Sequence, residues 1–387
     1  MRRHESENPV NAKSNKAISP APLPEPNRAL RSLTPFQQGK SQIAGHENPI
    51  KLSANESHHG PSPLAIEAYQ RCASALYSYP DGAQIELRTA IAETFGLPVD
   101  NIVCGNGSDE VQQLLIRAYV RPGDEVVFSR YSFTMSMVHA TAQGARVVMA
   151  DEPDLRPDAD SLLRAVTAKT RMVILASPNN PVGQYIPKNE LRRLHRELAP
   201  GVVLLVDSAY ADYVVAGDFD DGASLVEAGA NAVMTRTFSK LYGLAGLRIG
   251  WAYAPANIID SIQRIRTPFN ASTDAMAAAA AAVRDVKYSK FVRDYNHHEL
   301  ERIRRAISAA HAGVEFVPSY ANFYLVRFLD GVHTAEGAAA ALEKNGIIPR
   351  PVAAGGPEHC LRITVGLAHE NDAVLRVLSD YMMGPSG

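Results

Sequence analysis

The stretch Thr235–Trp251, TRTFSKLYGLAGLRIGW, places Lys240 directly after Ser239 and eight residues before Arg248, with no carboxylate among its residues. An amine without an acid partner can act as a nucleophile on a carbonyl. A guanidinium beside a serine hydroxyl suits a phosphate. Three other stretches carry groups that could share one ligand. GNGSDE has a glycine loop with Ser108 and Asp109 opening a helix, where free amides and the helix dipole favour an anion. It also reads as a plain glycine turn with a serine cap. SPNNPVG offers Asn180, and two asparagines between prolines also suit a simple turn. DSAY places Asp207 at the end of an apolar run, with Tyr210 three residues on. A carboxylate there needs a partner, which capping the next helix would also supply.

These groups must be positioned by regular elements. Short apolar β-branched runs predict strands at Ile102–Cys104, Glu125–Phe128, Arg146–Met149, Met172–Leu175, Val202–Val206, Ala232–Thr235 and Arg248–Ala252. RMVILAS and GVVLLVD are continuous rather than alternating, as expected of strands buried on both faces. Helical periodicity lies between them, as at Leu87, Ile91 and Phe95. The alternation predicts an α/β fold with a mostly parallel sheet. After DAMAAAAAAV the pattern changes to long helices with a few strands, ANFYLVRF and CLRITVG, which predicts a smaller α+β domain. The expected division is a mobile polar tail at 1–30, an N-terminal segment at 31–75 packing with the small domain, a large domain at 76–281 and a small domain at 282–387.

Composition narrows the function classes. The chain has 387 residues, 46% hydrophobic and 21% charged, with a formal net charge of −2. Nothing in that balance draws nucleic acid or a membrane surface. Cys72, Cys104 and Cys360 form no C-x-x-C pair, which argues against a disulfide framework or a zinc site and fits a reducing, cytoplasmic setting. No apolar run reaches the roughly 18 residues of a membrane span. The start MRRHESENPVNAKSNK lacks the apolar core of a signal peptide.

In an open parallel sheet, ligands sit beyond the carboxyl ends of the strands. Those ends would deliver an anion cradle, an amide, a buried carboxylate with a tyrosine, a lysine beside a serine, and an arginine. Pyridoxal phosphate uses all of them. Its aldehyde takes an amine as a Schiff base, its ring nitrogen a carboxylate, its ring oxygen a Tyr or Asn, and its phosphate Ser and Arg.

The chain resembles the fold-type-I pyridoxal-phosphate aminotransferases, specifically the histidinol-phosphate aminotransferase family, from about residue 45 to 380. The resemblance rests on KLSANE…GPSP, YPDG, GNGSDE, SPNNPVG, DSAY, TRTFSKLYGLAGLRIGW, TPFN, ANFYLVRF and LRITVG. It implies that Lys240 is the Schiff-base lysine and proton carrier, that Asp207 pairs with the pyridine nitrogen, and that Tyr210 and Asn180 hold the ring oxygen. It implies that Ser108, Asp109, Ser239 and Arg248 bind the cofactor phosphate and that Phe133 stacks on the ring. Tyr79 of YPDG would reach the cofactor phosphate of a neighbouring subunit, which implies a homodimer with shared sites. Arg362 would grip the substrate's acidic group, beside Asn180, and Arg350 would lie near the substrate phosphate. The implied reaction is ping-pong amino transfer between histidinol phosphate and 2-oxoglutarate in histidine biosynthesis. Aromatic amino acid transamination, decarboxylation of a phosphorylated amino acid, and a cofactor-binding module without turnover are the alternatives. The chain departs from the family at Ser57, His58 and His59, near the expected substrate entrance, where two histidines could read an acidic substrate or face solvent in a loop. It departs also at Ser208, and at Ser136, which would widen the pocket.

Overall fold

The computed structural model describes residues 24–35, 39–229, 231–310, 313–352 and 355–383. The expected mobile tail lies outside them up to residue 23; beyond that, Arg28–Ser32 form one largely exposed 3-10 turn capped by Asn27. The strands are β1 (Ile50–Lys51), β2 (Ile102–Gly105), β3 (Glu125–Ser129), β4 (Arg146–Ala150), β5 (Thr170–Ala176), β6 (Val203–Asp207), β7 (Ala232–Thr237), β8 (Gly250–Tyr253), β9 (Val314–Val317), β10 (Phe323–Phe328), β11 (Ile347–Ile348), β12 (Arg350–Pro351) and β13 (Cys360–Thr364).

The seven expected strands appear as β2 to β8 and form one sheet in the order β2-β8-β7-β6-β5-β3-β4. Strands β3 to β7 run parallel, and β8 runs antiparallel to both its neighbours. The continuous apolar runs have the predicted reason. Along β5 and β6, Val173, Leu175, Leu204 and Val206 enter one core, while Met172, Ile174, Val203 and Leu205 enter the core on the opposite face. Successive side chains of a strand point to opposite faces, so both faces must be apolar.

A second, antiparallel sheet has the order β12-β13-β10-β9. It packs with helices Ala335–Lys344 and Ala368–Met383 around Tyr324, Val326, Leu361 and Ile363. The N-terminal segment is stitched here by β1, parallel to β11, and by Leu52, which is fully buried in this core. The next helix, Pro63–Arg71, packs instead on helix Thr273–Arg284, and both contribute to the core of the large sheet. Helix Thr273–Arg284 therefore crosses residue 281, and the long helix Val286–Ala310 follows it toward the small sheet.

Register aligns the strand ends. Ala176 is opposite Asp207, Asp207 opposite Thr235, Thr237 opposite Gly250, and Gly250 opposite Gly105. Gly250 is required there, because a Cβ would overlap the backbone amide of Ser108. The loop after β6 is clamped from behind by Arg236 of β7, which is buried and pairs with Asp212 at 2.6 Å and with Asp221.

Glu152, just past β4, ties neighbouring strand ends together. Its buried carboxyl accepts from the Tyr131 amide at 3.0 Å, from Asn179 Nδ2 at 2.8 Å and from the Ser129 hydroxyl. Burial outweighs these donors and raises the carboxyl from 4.5 to about 7. The folded chain thus holds this proton more tightly than the unfolded chain. Its contribution is fully present below pH 4.5 and is lost as pH rises through about 7. The whole change is at most about 3 kcal/mol. Glu152→Gln is expected to flatten the fall in unfolding free energy between about pH 5 and 7.5, measured by urea titration. An unchanged slope would rule Glu152 out as its source.

Candidate active site

The aligned strand ends open on a cavity with two adjoining lobes that share Ala54, Phe133, Asn180 and Lys240. The deeper lobe, about 300 Å³, is lined by Ser108, Asp109, Gln112, Asp207, Tyr210, Ser239 and Arg248, among others. Ser108 and Asp109 lie in the first turn of helix Gly107–Tyr119, whose amides have no intrahelical acceptor. The cap position is Asn106, so Ser108 is not the capping residue. Arg248 is not in a strand as expected. β8 begins at Gly250, and Arg248 takes a left-handed conformation (φ 50°, ψ 60°) in the turn before it. Its guanidinium donates to Ser239 Oγ at 3.3 Å and to the Ala245 carbonyl at 3.0 Å. It also lies against Gly107 (φ 80°), where a Cβ would sit 2.9 Å from Nη2. Helix terminus, serine and guanidinium thus form one cup for an anion.

Lys240 Nζ lies 3.5 Å from the Ala54 carbonyl and 5.5 Å from the Tyr210 ring centroid. Among the described residues, Lys240, Arg248, Arg350 and Arg362 belong to none of the ion pairs. Asp207 closes the floor. Burial raises its carboxyl; hydrogen bonds from Gln112, Thr235 and the Ala209 amide act against this, and nearby Asp109 adds to it. The alternative role of Asp207, capping a following helix, is not seen, since only the 3-10 turn Ala211–Tyr213 follows, with Tyr210 at its cap position. Tyr210 is buried edge-on to Phe323, and its hydroxyl accepts from Asn55 Nδ2 at 2.9 Å.

The outer lobe, about 360 Å³, is lined by Lys51, Ser53, Asn180, Arg350 and Arg362, with Phe133 at its mouth. Arg362 is 8% exposed; Nη1 donates to Asn180 Oδ1 at 2.6 Å and Nη2 to the Ser53 carbonyl at 2.5 Å. Its Nε is buried without a partner, and burial lowers the guanidinium to about 10. Arg350 and Arg362 are direct partners across β12 and β13. Like charges placed opposite each other repel unless an anion joins them.

Sequence reasoning missed Lys51, Asn55 and Gln112. Lys51 and Asn55 flank LSA in a stretch already singled out, but only the pairing of β1 with β11 brings them to the cavity. Gln112 carried no signal beyond its place two turns into the helix after GNGSDE. Tyr79, expected at the site of a neighbouring subunit, is 83% exposed, stacked on Phe269 at 4.8 Å, and lines neither lobe of its own chain. His58 and His59 neither line the cavity nor face solvent. His58 Nδ1 pairs with Glu370 at 2.7 Å, and His59 packs edge-on to Tyr295 and Phe291. Burial lowers the His59 imidazole, with His58 adding to the effect. Ser208 is buried and donates to the Asp221 carbonyl at 2.7 Å. No group of metal ligands occurs among the described residues, and no helix among them is long and apolar enough to cross a membrane.

Comparison with known proteins bears on this geometry. The family model described as aminotransferase class I and II matches residues 47–379. The histidinol-phosphate aminotransferase of Paramagnetospirillum magneticum is 43% identical over 94% of this chain and 99% of its own length. That of Rhodospirillum centenum is 42% identical over 93% and 99%. The crystal structure of histidinol-phosphate aminotransferase from Sinorhizobium meliloti in complex with pyridoxal-5'-phosphate superimposes with a TM-score of 0.83 at 29% identity, covering 94% of this chain and 99% of that one. L-threonine-O-3-phosphate decarboxylase from Porphyromonas gingivalis shares the fold with a TM-score of 0.74; at 20% identity, covering 87% of this chain and all of that one, this likeness extends to the fold alone. The family match takes in both sheets and every strand end that meets the cavity, and the chain belongs to the class I and II aminotransferases.

Proposed function

We propose that the protein transfers an amino group between histidinol phosphate and 2-oxoglutarate, using pyridoxal phosphate held in the deeper lobe. The carrying observation is the pair Arg350 and Arg362, two cations opposite each other without carboxylates, in the lobe beyond Lys240. The similar enzymes of P. magneticum and R. centenum point to the same substrate. A phosphate dianion offers three oxygens and two charges to a pair of guanidinium groups, whereas the single carboxylate of an aromatic amino acid is a monoanion with two oxygens.

The residues of the deeper lobe fit the cofactor. The cup at Gly107 is closed to any side chain by Arg248, and Asp207 is placed to accept from a ring N–H. When bound, pyridoxal phosphate supplies an aldehyde that condenses with amines and a ring that withdraws electrons from the substrate α-carbon. Ser108, Asp109, Ser239 and Arg248 would hold its phosphate, Lys240 its aldehyde, and Tyr210 with Asn180 its ring oxygen. Phe133, half-exposed between the lobes, would cover its face. Arg362 anchors the acidic group of either substrate through its bidentate fork, and Asn180 sets the plane of that fork. Lys240 Nζ, free of any carboxylate, takes the proton from the substrate α-carbon. Both half-reactions would use this one anchor in turn, so the two substrates would occupy the site alternately, as ping-pong kinetics requires.

The protein acts as a cytoplasmic homodimer in this reading. Exposed Leu76, Tyr77 and Tyr79 lie together in sequence, as a segment covered by a second subunit would. A large domain around the seven-stranded sheet and a small one around the four-stranded sheet meet at the cavity.

Two substitutions test the assignment. Lys240→Ala is expected to reduce transamination at least about a thousandfold, read as absorbance change in each half-reaction. Turnover near the native rate would remove Lys240 from the chemistry. Arg350→Ala is expected to cost about 10- to 100-fold in kcat/KM for histidinol phosphate and only a few-fold for phenylalanine. Equal losses on both would place Arg350 outside the phosphate site.

A further inference from the structure

Behind Asp207 runs a chain of buried hydrogen bonds that the proposed chemistry does not itself use. Ser136, on helix Met135–Ala142, donates its hydroxyl to Gln112 Oε1. Gln112 Nε2 lies 3.5 Å from Thr235 Oγ1, and Thr235 Oγ1 donates to Asp207 Oδ1 at 3.3 Å. Ser136 and Gln112 are 4% exposed and Thr235 is fully buried. The direction of the chain is set by chemistry. The two ends of an amide side chain differ, one only accepting and one only donating. With Oε1 taken by Ser136, the NH₂ must face Thr235 and Asp207. Thr235, already accepting, spends its single proton on Asp207.

The geometry points to Gln112, oriented by Ser136, as a positioning residue that keeps Asp207 an ionised acceptor for the ring N–H of the cofactor. This inference rests on the reading of the deeper lobe as a pyridoxal phosphate site. Its physical need is the burial of Asp207, which favours the neutral acid and which Asp109, from the same helix as Gln112, reinforces. The Asp109 carboxylate is itself 3.2 Å from His139 Nε2, on the helix that carries Ser136. Lys240, Tyr210 and Arg248 line the same lobe from the loops after β6 and β7. Donors directed at Asp207 oppose the neutral form without adding charge.

The test is the pH dependence of cofactor affinity, measured by dialysing the holoenzyme against falling concentrations of pyridoxal phosphate at pH 8 and pH 6. Relative to the native protein, Gln112→Leu is expected to lose about tenfold more affinity between pH 8 and pH 6, because removing the amide donor favours the neutral form of Asp207 as pH falls. Ser136→Ala, which frees the amide to rotate, is expected to lose about threefold more. Asp207→Asn serves as the reference and is expected to bind about a hundredfold more weakly at both values. Native pH dependence in Gln112→Leu, with Asp207→Asn weakened, would overturn the positioning role and leave the cofactor site standing. Should Gln112→Leu fail to fold, native pH dependence in Ser136→Ala overturns it instead. Native affinity in Asp207→Asn would instead sink the reading of the lobe as the cofactor site.

Discussion

Positive charge without protein counter-charge organises this molecule. Lys240, Arg248, Arg350 and Arg362 converge on one cavity, and none belongs to an ion pair among the described residues. A buried cation kept from carboxylates costs stability unless neutral donors and acceptors or a ligand compensate. Arg362 shows how the fold manages this. Two of its nitrogens are held by the Asn180 side chain and the Ser53 carbonyl, neutral acceptors that fix the fork without cancelling its charge. The third, Nε, is left unsatisfied. Of the nearby carboxylates, Asp212 and Asp221 pair with Arg236, Glu56 with Lys51 and Glu370 with His58, while Asp207 and Asp109 line the deeper lobe without an ion pair to these cations.

That arrangement demands contributions from distant parts of the chain. Parallel register puts Ala176, Asp207 and Thr235 in a row, and antiparallel β8 returns Gly250 to the same edge. The missing side chain at Gly250 then lets the helix at Gly107 approach. The small sheet supplies Arg350 and Arg362 as cross-strand partners. Asn55 joins the two bodies, since its backbone amide donates to Thr364 Oγ1 at 3.0 Å and its side-chain amide donates to the Tyr210 hydroxyl at 2.9 Å. A single residue thus links the small sheet to the Tyr210 hydroxyl by hydrogen bonds.

The departures from the family pattern settle into structural roles. Ser208 ties the loop after β6 to Asp221, and His58 and His59 fasten the N-terminal segment to the helices of the small domain. None of the three lines the cavity, so none is a direct determinant of the substrate. Ser136 is different, because its hydroxyl reaches Gln112 and through it the floor of the site.

The sequence by itself determined the seven strands of the large sheet and the groups at their carboxyl ends. Both are local properties: continuous apolar runs mean strands buried on two faces, and the chemistry of Ser108, Asp207, Lys240 and Arg248 travels with them. It did not reveal that β8 runs antiparallel or that Arg248 sits in a left-handed turn. Tertiary structure alone brought Lys51 to the outer lobe and Gln112 to Asp207. Lys51 reaches the cavity only because β1 pairs with a strand some 300 residues away. Gln112 meets Asp207 only because helix Gly107–Tyr119 crosses the sheet there. Contacts between residues so far apart in sequence depend on register and packing, which no local pattern encodes.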